Sequence, residues 1–442
     1  IFFIAYTRDG AAGGASDPSK RPLVFSFNGG PGSSSVWLHL GLLGPKRVVL
    51  QDDGMPVAPP YQLSDHDASL LADADLVFID PVGTGYSRAA AGEKPKDFYG
   101  FDGDVQSVGD FIRLWTTRYG RWASPKYLIG ESYGTTRAAA LTGYLMDRHA
   151  LYLNGVMLIS SVLDFATVRF EVGNDLPPML FLPTYTAAAH HHRALAPDLL
   201  GRPVEEVLAE VERFAIERYG PALLRGDTLT PAEELEIAEA LARYTGLSVD
   251  YVRRSRLRID IHRFTKELLR DQGRTIGRID ARYSGVDRDE AGATPEFDPS
   301  MGAIMGPYGA LINDLVQREL GYTSDLPYEV IAGLYSHWDY ARFQNRYVNV
   351  AETLRRAIAQ HPFLKVFVAS GLYDLATPHL ATRYTLDHLG LPRELRGNIE
   401  EVRYRAGHMM YVDVDILQRL SDDLADFVRR TSTADEATRG DG

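Results

Sequence analysis

The sequence predicts an α/β protein with a central, mostly parallel sheet and a helical insertion, and three observations predict it. Short apolar runs alternate with helical stretches from the start to about Leu163. The texture turns charged and helical from about Asp164 to Tyr335. The alternation then resumes to the end of the chain. The core is therefore expected over 1–163 and 336–442, and a mostly helical cap-like insertion over 164–335.

The early strand candidates are "FFIAYTR", "PLVFSFNG", "LVFIDP", "KYLIG" and "GVMLISS". Several are apolar throughout, the pattern of parallel strands covered on both faces. Between them, "DVQSVGDFIRLWTTRYG" spaces Val105, Val108, Phe111, Ile112 and Trp115 at near-helical intervals, and "TTRAAALTGYLMDRH" reads as a second helix. In the insertion, "PVEEVLAEVERFAIERYG", "TPAEELEIAEALARYTG" and "SVDYVRRSRLRIDIHRFTKELLRDQG" are amphipathic and open on Pro, Thr-Pro or Ser. The stretch that follows, from "GRIDARYSG" to "YGALINDL", is rich in Gly, Pro and Asp and is expected to be an irregular loop. The core then resumes with "LRRAIAQHP" as helix, "LKVFVASG" and "EVRYRAG" as strands, and "DVDILQRLSDDLADFVRR" as a closing helix. The polar tail "TSTADEATRGDG" is expected to fray.

Composition narrows the function classes. With 59 acidic against 47 basic residues the 442-residue chain carries a formal charge of -12. Such a field repels nucleic acid and anionic lipid, so neither is expected as a partner, and a peptide or small molecule is favoured. No apolar run is long enough to span a bilayer, and no signal-like segment opens the chain. The first residue, Ile1, already lies in a strand-like run, so a native N-terminus is expected to precede it. Cysteine is absent, which excludes disulfides, thiolate nucleophiles and cysteine-based metal sites. A reducing compartment such as the cytoplasm is the simplest setting, although exported bacterial proteins also do without cysteine.

The chemistry centres on "GESYG", Gly130 to Gly134, a G-x-S-x-G pattern between an apolar strand and a helix. Ser132 reads either as a nucleophile lifted on a strained turn or as an ordinary serine at a tight junction. Asp374 follows the strand "VFVASG" and His408 follows the strand "VRYRAG", so Ser, Asp and His arrive in the order this architecture uses, each on a strand-end loop. Alone, each is as well read as a cap or loop residue; together they form a triad candidate. The loop "FNGGPGSSS" after another strand has the glycines an oxyanion hole needs, and the N–H groups of Gly30 and Tyr133 are the candidate pair.

With "NGGPGSSS", "DPVGTGYS", "GESYG", "SGLYDLATP" and "AGHMMY" in this order over nearly the whole chain, the sequence resembles the serine carboxypeptidase family, peptidase family S10, in a bacterial-type form. The resemblance implies an α/β-hydrolase fold with a helical cap and release of C-terminal amino acids from peptide substrates without a cofactor. It makes Ser132 the nucleophile, His408 the base and then acid, and Asp374 the orienter of the imidazole. It also implies that Asn28, Gly29 and Glu131 bind the substrate's terminal carboxylate, Glu131 as a protonated donor.

Two positions depart from the family pattern. Ser26 stands where a tryptophan is usual, and Leu42 where a second glutamate normally pairs with the one in the serine motif. Glu131 thus lacks a like-charge neighbour that would raise its pKa, so weaker carboxylate recognition and a less acidic optimum are expected. An acyltransferase or esterase on the same triad, and a catalytically silent binding protein, are the alternatives. His190, His191 and His192 are adjacent on a helix, about 100° apart each, and are not read as a metal site. Tyr86 in "DPVGTGYS" is expected to line the cleft.

Overall fold

Alternation along the central strands divides their side chains between two cores. In the computed structural model, which describes residues 1–8 and 18–432, seven strands form one sheet. They are β1 (Phe3–Tyr6), β2 (Leu23–Phe27), β3 (Asp75–Ile79), β4 (Lys126–Ser132), β5 (Gly155–Ser161), β6 (Lys365–Gly371) and β7 (Ile399–Tyr404). Their spatial order is β1-β3-β2-β4-β5-β6-β7. The edge strand β1 runs antiparallel to β3, and all other pairings are parallel.

Helices follow the strands: α1 (Phe101–Arg118), α2 (Tyr133–His149), α3 (Leu176–His191), α4 (Val204–Phe214), α5 (Pro231–Thr245), α6 (Val249–Arg254), α7 (Ile261–Glu267), α8 (Pro299–Asp314), α9 (Ala351–Gln360), α10 (His379–Asp387) and α11 (Val414–Ser432). Val77, Leu128, Val156, Leu158, Val366 and Val368 pack against α1, α2 and α9 on one face. Phe78, Ile129, Met157, Ile159, Phe367 and Ala369 pack on the other face against α8, α11 and the buried helical segment Val36–Leu43. With both faces covered, period-two burial reads as a continuous apolar run.

Helices α3 to α7 enclose a third core around Tyr185, Tyr219, Leu241 and Phe264. It includes Leu372, Tyr373 and Leu375 from the loop after β6, and Leu380 and Ala381 from α10, so the helical layer packs directly on that loop. From Tyr328 to Val350 the chain returns along the sheet's upper edge. Antiparallel bridges there join Ile331 to Ser33 and Glu329 to Gly85.

Two expectations are corrected. The stretch expected to be an irregular loop contains α8, opened by Asp298, whose side chain accepts from Ser300 N, with Pro299 in its first turn. Gly302, Gly306, Pro307 and Gly309 hide this helix from propensity, but Ala303, Ile304, Tyr308, Leu311 and Ile312 bury one face, and tertiary packing wins. The single helix expected from Ser248 onward breaks into α6 and α7. Arg256 and Leu257 adopt positive φ (53° and 62°), and Asp260 recaps the chain through His262 N and Arg263 N.

Candidate active site

Ser132 ends β4 and caps α2 with φ 59° and ψ -128°, a conformation that costs a non-glycine residue about 1–3 kcal/mol. The sheet register shifts between Glu131 and Ser132, so the strand gives way abruptly to the helix. The flanking glycines are dictated by contact. A Cβ on Gly130 would lie 2.2 Å from Gly134 O, and one on Gly134 would lie 2.8 Å from Phe27 O. Among the described residues Ser132 Oγ makes no hydrogen bond of its own.

Asp374, fully buried three residues past β6, is held by four donors. Its Oδ1 accepts from Ala376 N (2.8 Å) and Thr377 N (3.0 Å), and its Oδ2 from Thr377 Oγ1 (2.7 Å) and His408 Nδ1 (2.8 Å). His408 follows β7, and its N–H donates to Ile279 O at 2.7 Å. Ser160 Oγ donates to the His408 carbonyl at 2.6 Å. Burial alone would pull the His408 imidazole down and push the Asp374 carboxyl up. Their mutual charge and hydrogen bond overcome it, holding His408 above its ordinary value and Asp374 below. The pair is thus poised to stabilise an imidazolium.

Glu131, also buried, has both oxygens engaged. Asn28 Nδ2 donates to Oε1 at 3.1 Å and the Tyr411 hydroxyl donates to Oε2 at 2.6 Å. Asn28 is fixed in turn, its Oδ1 accepting from Leu38 N at 3.1 Å. Burial pushes Glu131 up to about 7, against the opposing pull of His408, Tyr411 and Asn28. Burial does most of this, and the charge of the nearby Asp374 adds to it. Where a second glutamate was sought, Leu42 is buried in the apolar core. Ser26 is buried in β2, and its hydroxyl has no hydrogen-bond partner among the described residues. Gly29, between Asn28 and the candidate oxyanion donor Gly30, packs on the elbow: a Cβ there would stand 2.4 Å from Tyr133 N.

The loop bearing these groups is held from two sides. Asp80 Oδ1 accepts from Ser35 N and Ser35 Oγ, both at 2.9 Å, while Ser34 N donates to Val330 O at 3.1 Å. Burial pushes Asp80 up to about 6 against the Ser35 and Tyr328 hydrogen bonds. Gly85 of "DPVGTGYS" serves this arrangement, since a Cβ there would collide with Asp80 Oδ2 at 1.8 Å. Tyr86, expected in the cleft, is instead buried in an aromatic cluster with Phe2, Tyr322 and Tyr328. The three histidines diverge: His190 Nε2 faces Arg202 O at 3.2 Å, and His192 Nε2 faces Ala281 O at 2.7 Å.

Sequence reasoning missed Tyr411, although it closes the quoted "AGHMMY", and Thr377 in "SGLYDLATP". Nor did it find Asp80, Asp104 or Arg137, whose roles depend on contacts across separate elements. A buried charge inside an otherwise apolar helix was the available signal for Arg137.

Comparison with known proteins sets this geometry in context. Residues 2–172 match the family model described as serine carboxypeptidase. Serine carboxypeptidase-like 33 of Arabidopsis thaliana is 32% identical over 139 residues, 30% of this chain and 27% of its own length. The pheromone-processing carboxypeptidase KEX1 of Puccinia graminis f. sp. tritici is 29% identical over 167 residues, 35% of this chain and 24% of its own length. The chain thus spans only about a quarter of the length of these curated relatives. They are plant and fungal, and the bacterial-type expectation finds no support among them. The crystal structure of Kex1(delta)p, a prohormone-processing carboxypeptidase from Saccharomyces cerevisiae, superposes with a TM-score of 0.57 at 15% identity. It covers 96% of this chain and 86% of that one, a likeness of fold. Residues 2–172 are thus similar to the serine carboxypeptidase family, and the chain has an α/β-hydrolase fold.

Proposed function

We propose that the chain is a serine carboxypeptidase that hydrolyses the C-terminal peptide bond of peptides through an acyl-enzyme on Ser132. The observation that carries this reading is the strained Ser132 on the strand–helix elbow, in one fold with the bonded Asp374–His408 pair and flanked by the buried Glu131–Asn28 pair.

Ser132 Oγ attacks the scissile carbonyl carbon while His408 takes its proton through Nε2. Asp374 keeps the Nδ1 proton in place and balances the imidazolium charge. The N–H groups of Gly30 and Tyr133 receive the oxyanion. As the tetrahedral intermediate collapses, His408 returns the proton to the departing amine, and the C-terminal amino acid leaves. Water, deprotonated by His408, then cleaves the acyl-serine. Asn28, Gly29 and a protonated Glu131 hold the free carboxylate, which restricts cleavage to the last bond. Residues 164–335 act as the cap that shapes the cleft.

Labelling by a serine-directed fluorophosphonate, lost in Ser132→Ala, is the expected result for an enzyme; equal labelling of both proteins would refute the nucleophile assignment. Release of free amino acid from N-blocked dipeptides tests the reaction itself. The engagement of both Glu131 oxygens favours an acyltransferase or esterase as the second reading. Ester cleavage without release of any C-terminal residue would select it.

A further inference from the structure

Arg137 lies on α2 just over one turn after Ser132, and its side chain is fully buried. Its Nε donates to Asp104 Oδ2 on α1 at 2.7 Å, and its Nη1 donates to the Asn28 carbonyl at 2.6 Å. The Phe27 and Tyr133 rings lie 5.3 and 5.5 Å from the guanidinium carbon, and Nη2 has no hydrogen-bond partner among the described residues. A guanidinium cannot shed its charge, so a permanent cation stands directly behind the Asn28–Gly29 peptide.

That peptide is one planar unit whose C=O and N–H point in opposite directions. The carbonyl side faces Arg137; the N–H of Gly29 therefore faces away from it and has no backbone acceptor among the described residues. A charge-assisted bond to the carbonyl draws electron density through the amide and makes the N–H a stronger donor. Contact fixes the peptide against the elbow, since a Cβ on Gly134 would meet the Asn28 carbonyl oxygen at 3.1 Å.

We propose that Arg137, held by Asp104, is a positioning residue that polarises the Asn28–Gly29 peptide so that the Gly29 N–H binds the anionic C-terminal carboxylate of the substrate. This rests on the carboxypeptidase reading above and deepens it: the site meets its anion with a buried cation acting through a peptide, where Leu42 leaves no second carboxylic acid. Glu131 then acts as the adjustable partner and Arg137 as the constant one.

The test replaces the ion pair as a whole, Arg137→Met with Asp104→Leu, so that no lone charge is left buried. It compares an N-blocked dipeptide bearing a free carboxylate with the same dipeptide as its C-terminal amide. The KM for the free acid is expected to rise about tenfold or more, the worth of one strengthened hydrogen bond to a charged group. On the amide, kcat/KM is expected to fall by a clearly smaller factor. Arg137→Lys, which keeps a cation beside the carbonyl, should recover part of the free-acid KM. If the double variant does not fold, Arg137→Lys decides, with a KM rise expected on the free acid and not on the amide. Equal losses on both substrates would overturn the proposal while leaving the carboxypeptidase reading intact. A wild-type protein that does not prefer the free acid over the amide would overturn the carboxylate reading itself, and this proposal with it.

Discussion

Glu131 and His408 are coupled, each shifting the other, and this governs the expected pH behaviour. Ionised Glu131 helps to raise His408, and protonated Glu131 is the form that donates to a carboxylate. Binding of free-acid peptides should therefore weaken as pH rises through about 7, where burial has placed Glu131. Glu131→Gln keeps a donor at every pH and removes a negative charge from beside His408. KM for the free acid should lose its rise above neutrality, and the acidic limb of kcat/KM should move to lower pH. Tyr411→Phe acts in the same sense, by favouring the protonated carboxyl. Losing a donor to Oε2 removes stabilisation of the anion, so the alkaline rise in KM should move up. A profile in Tyr411→Phe that coincides with wild type would show that the hydroxyl does not tune Glu131. These two side chains also mark the limit of sequence reading at the residue scale. The candidate triad could be singled out because each of its residues sits at a strand end. Tyr411 could not be assigned, because a tyrosine's partner 280 positions away is set by the fold.

At the scale of elements, the elbow between β4 and α2 is the feature best forecast and most exposed to test. Gly130→Ala would drive a methyl against the Gly134 carbonyl, backbone on backbone, where no side chain can yield. The expected cost is about 1–3 kcal/mol, read as a lower urea midpoint, with a loss of kcat as Ser132 is displaced. An unchanged midpoint would mean that the turn relaxes freely. The strands β2 to β6 were legible because burial on both faces demands unbroken apolar runs. Helix α8 was not, because three glycines and a proline obscure a pattern that only its packing under β-sheet residues completes. Helix α10 was passed over for a related reason: "TPHLATRYTLDHLG" is short and mixed, and its burial is supplied by α3 and the loop after β6.

Across the whole molecule, the helical layer and the proposed triad share material. Leu372, Tyr373 and Leu375 flank Asp374 and belong to the core formed by α3 to α7. Leu375 N also donates to Arg278 O, and His408 N to Ile279 O, so the chain leaving that layer pins the loops that carry Asp374 and His408. Arg403 in β7 pairs with Glu212 on α4 at 2.7 Å, adding a lateral tie. Loosening the helical core should therefore loosen Asp374 and His408 before the sheet fails. Phe264 is fully buried and stacked on Tyr185 at 4.0 Å, so Phe264→Ala should cost about 3–5 kcal/mol in that core. The four tryptophans, Trp37, Trp115, Trp122 and Trp338, all lie outside 164–335, so their fluorescence reports the sheet and its flanking layers. In a urea titration of Phe264→Ala, activity should disappear at a lower denaturant concentration than the fluorescence change, with a wider gap than in wild type. Coincident curves, both shifted together, would show instead that helical layer and sheet unfold as one cooperative unit and that the triad gains no separate support from the layer above it.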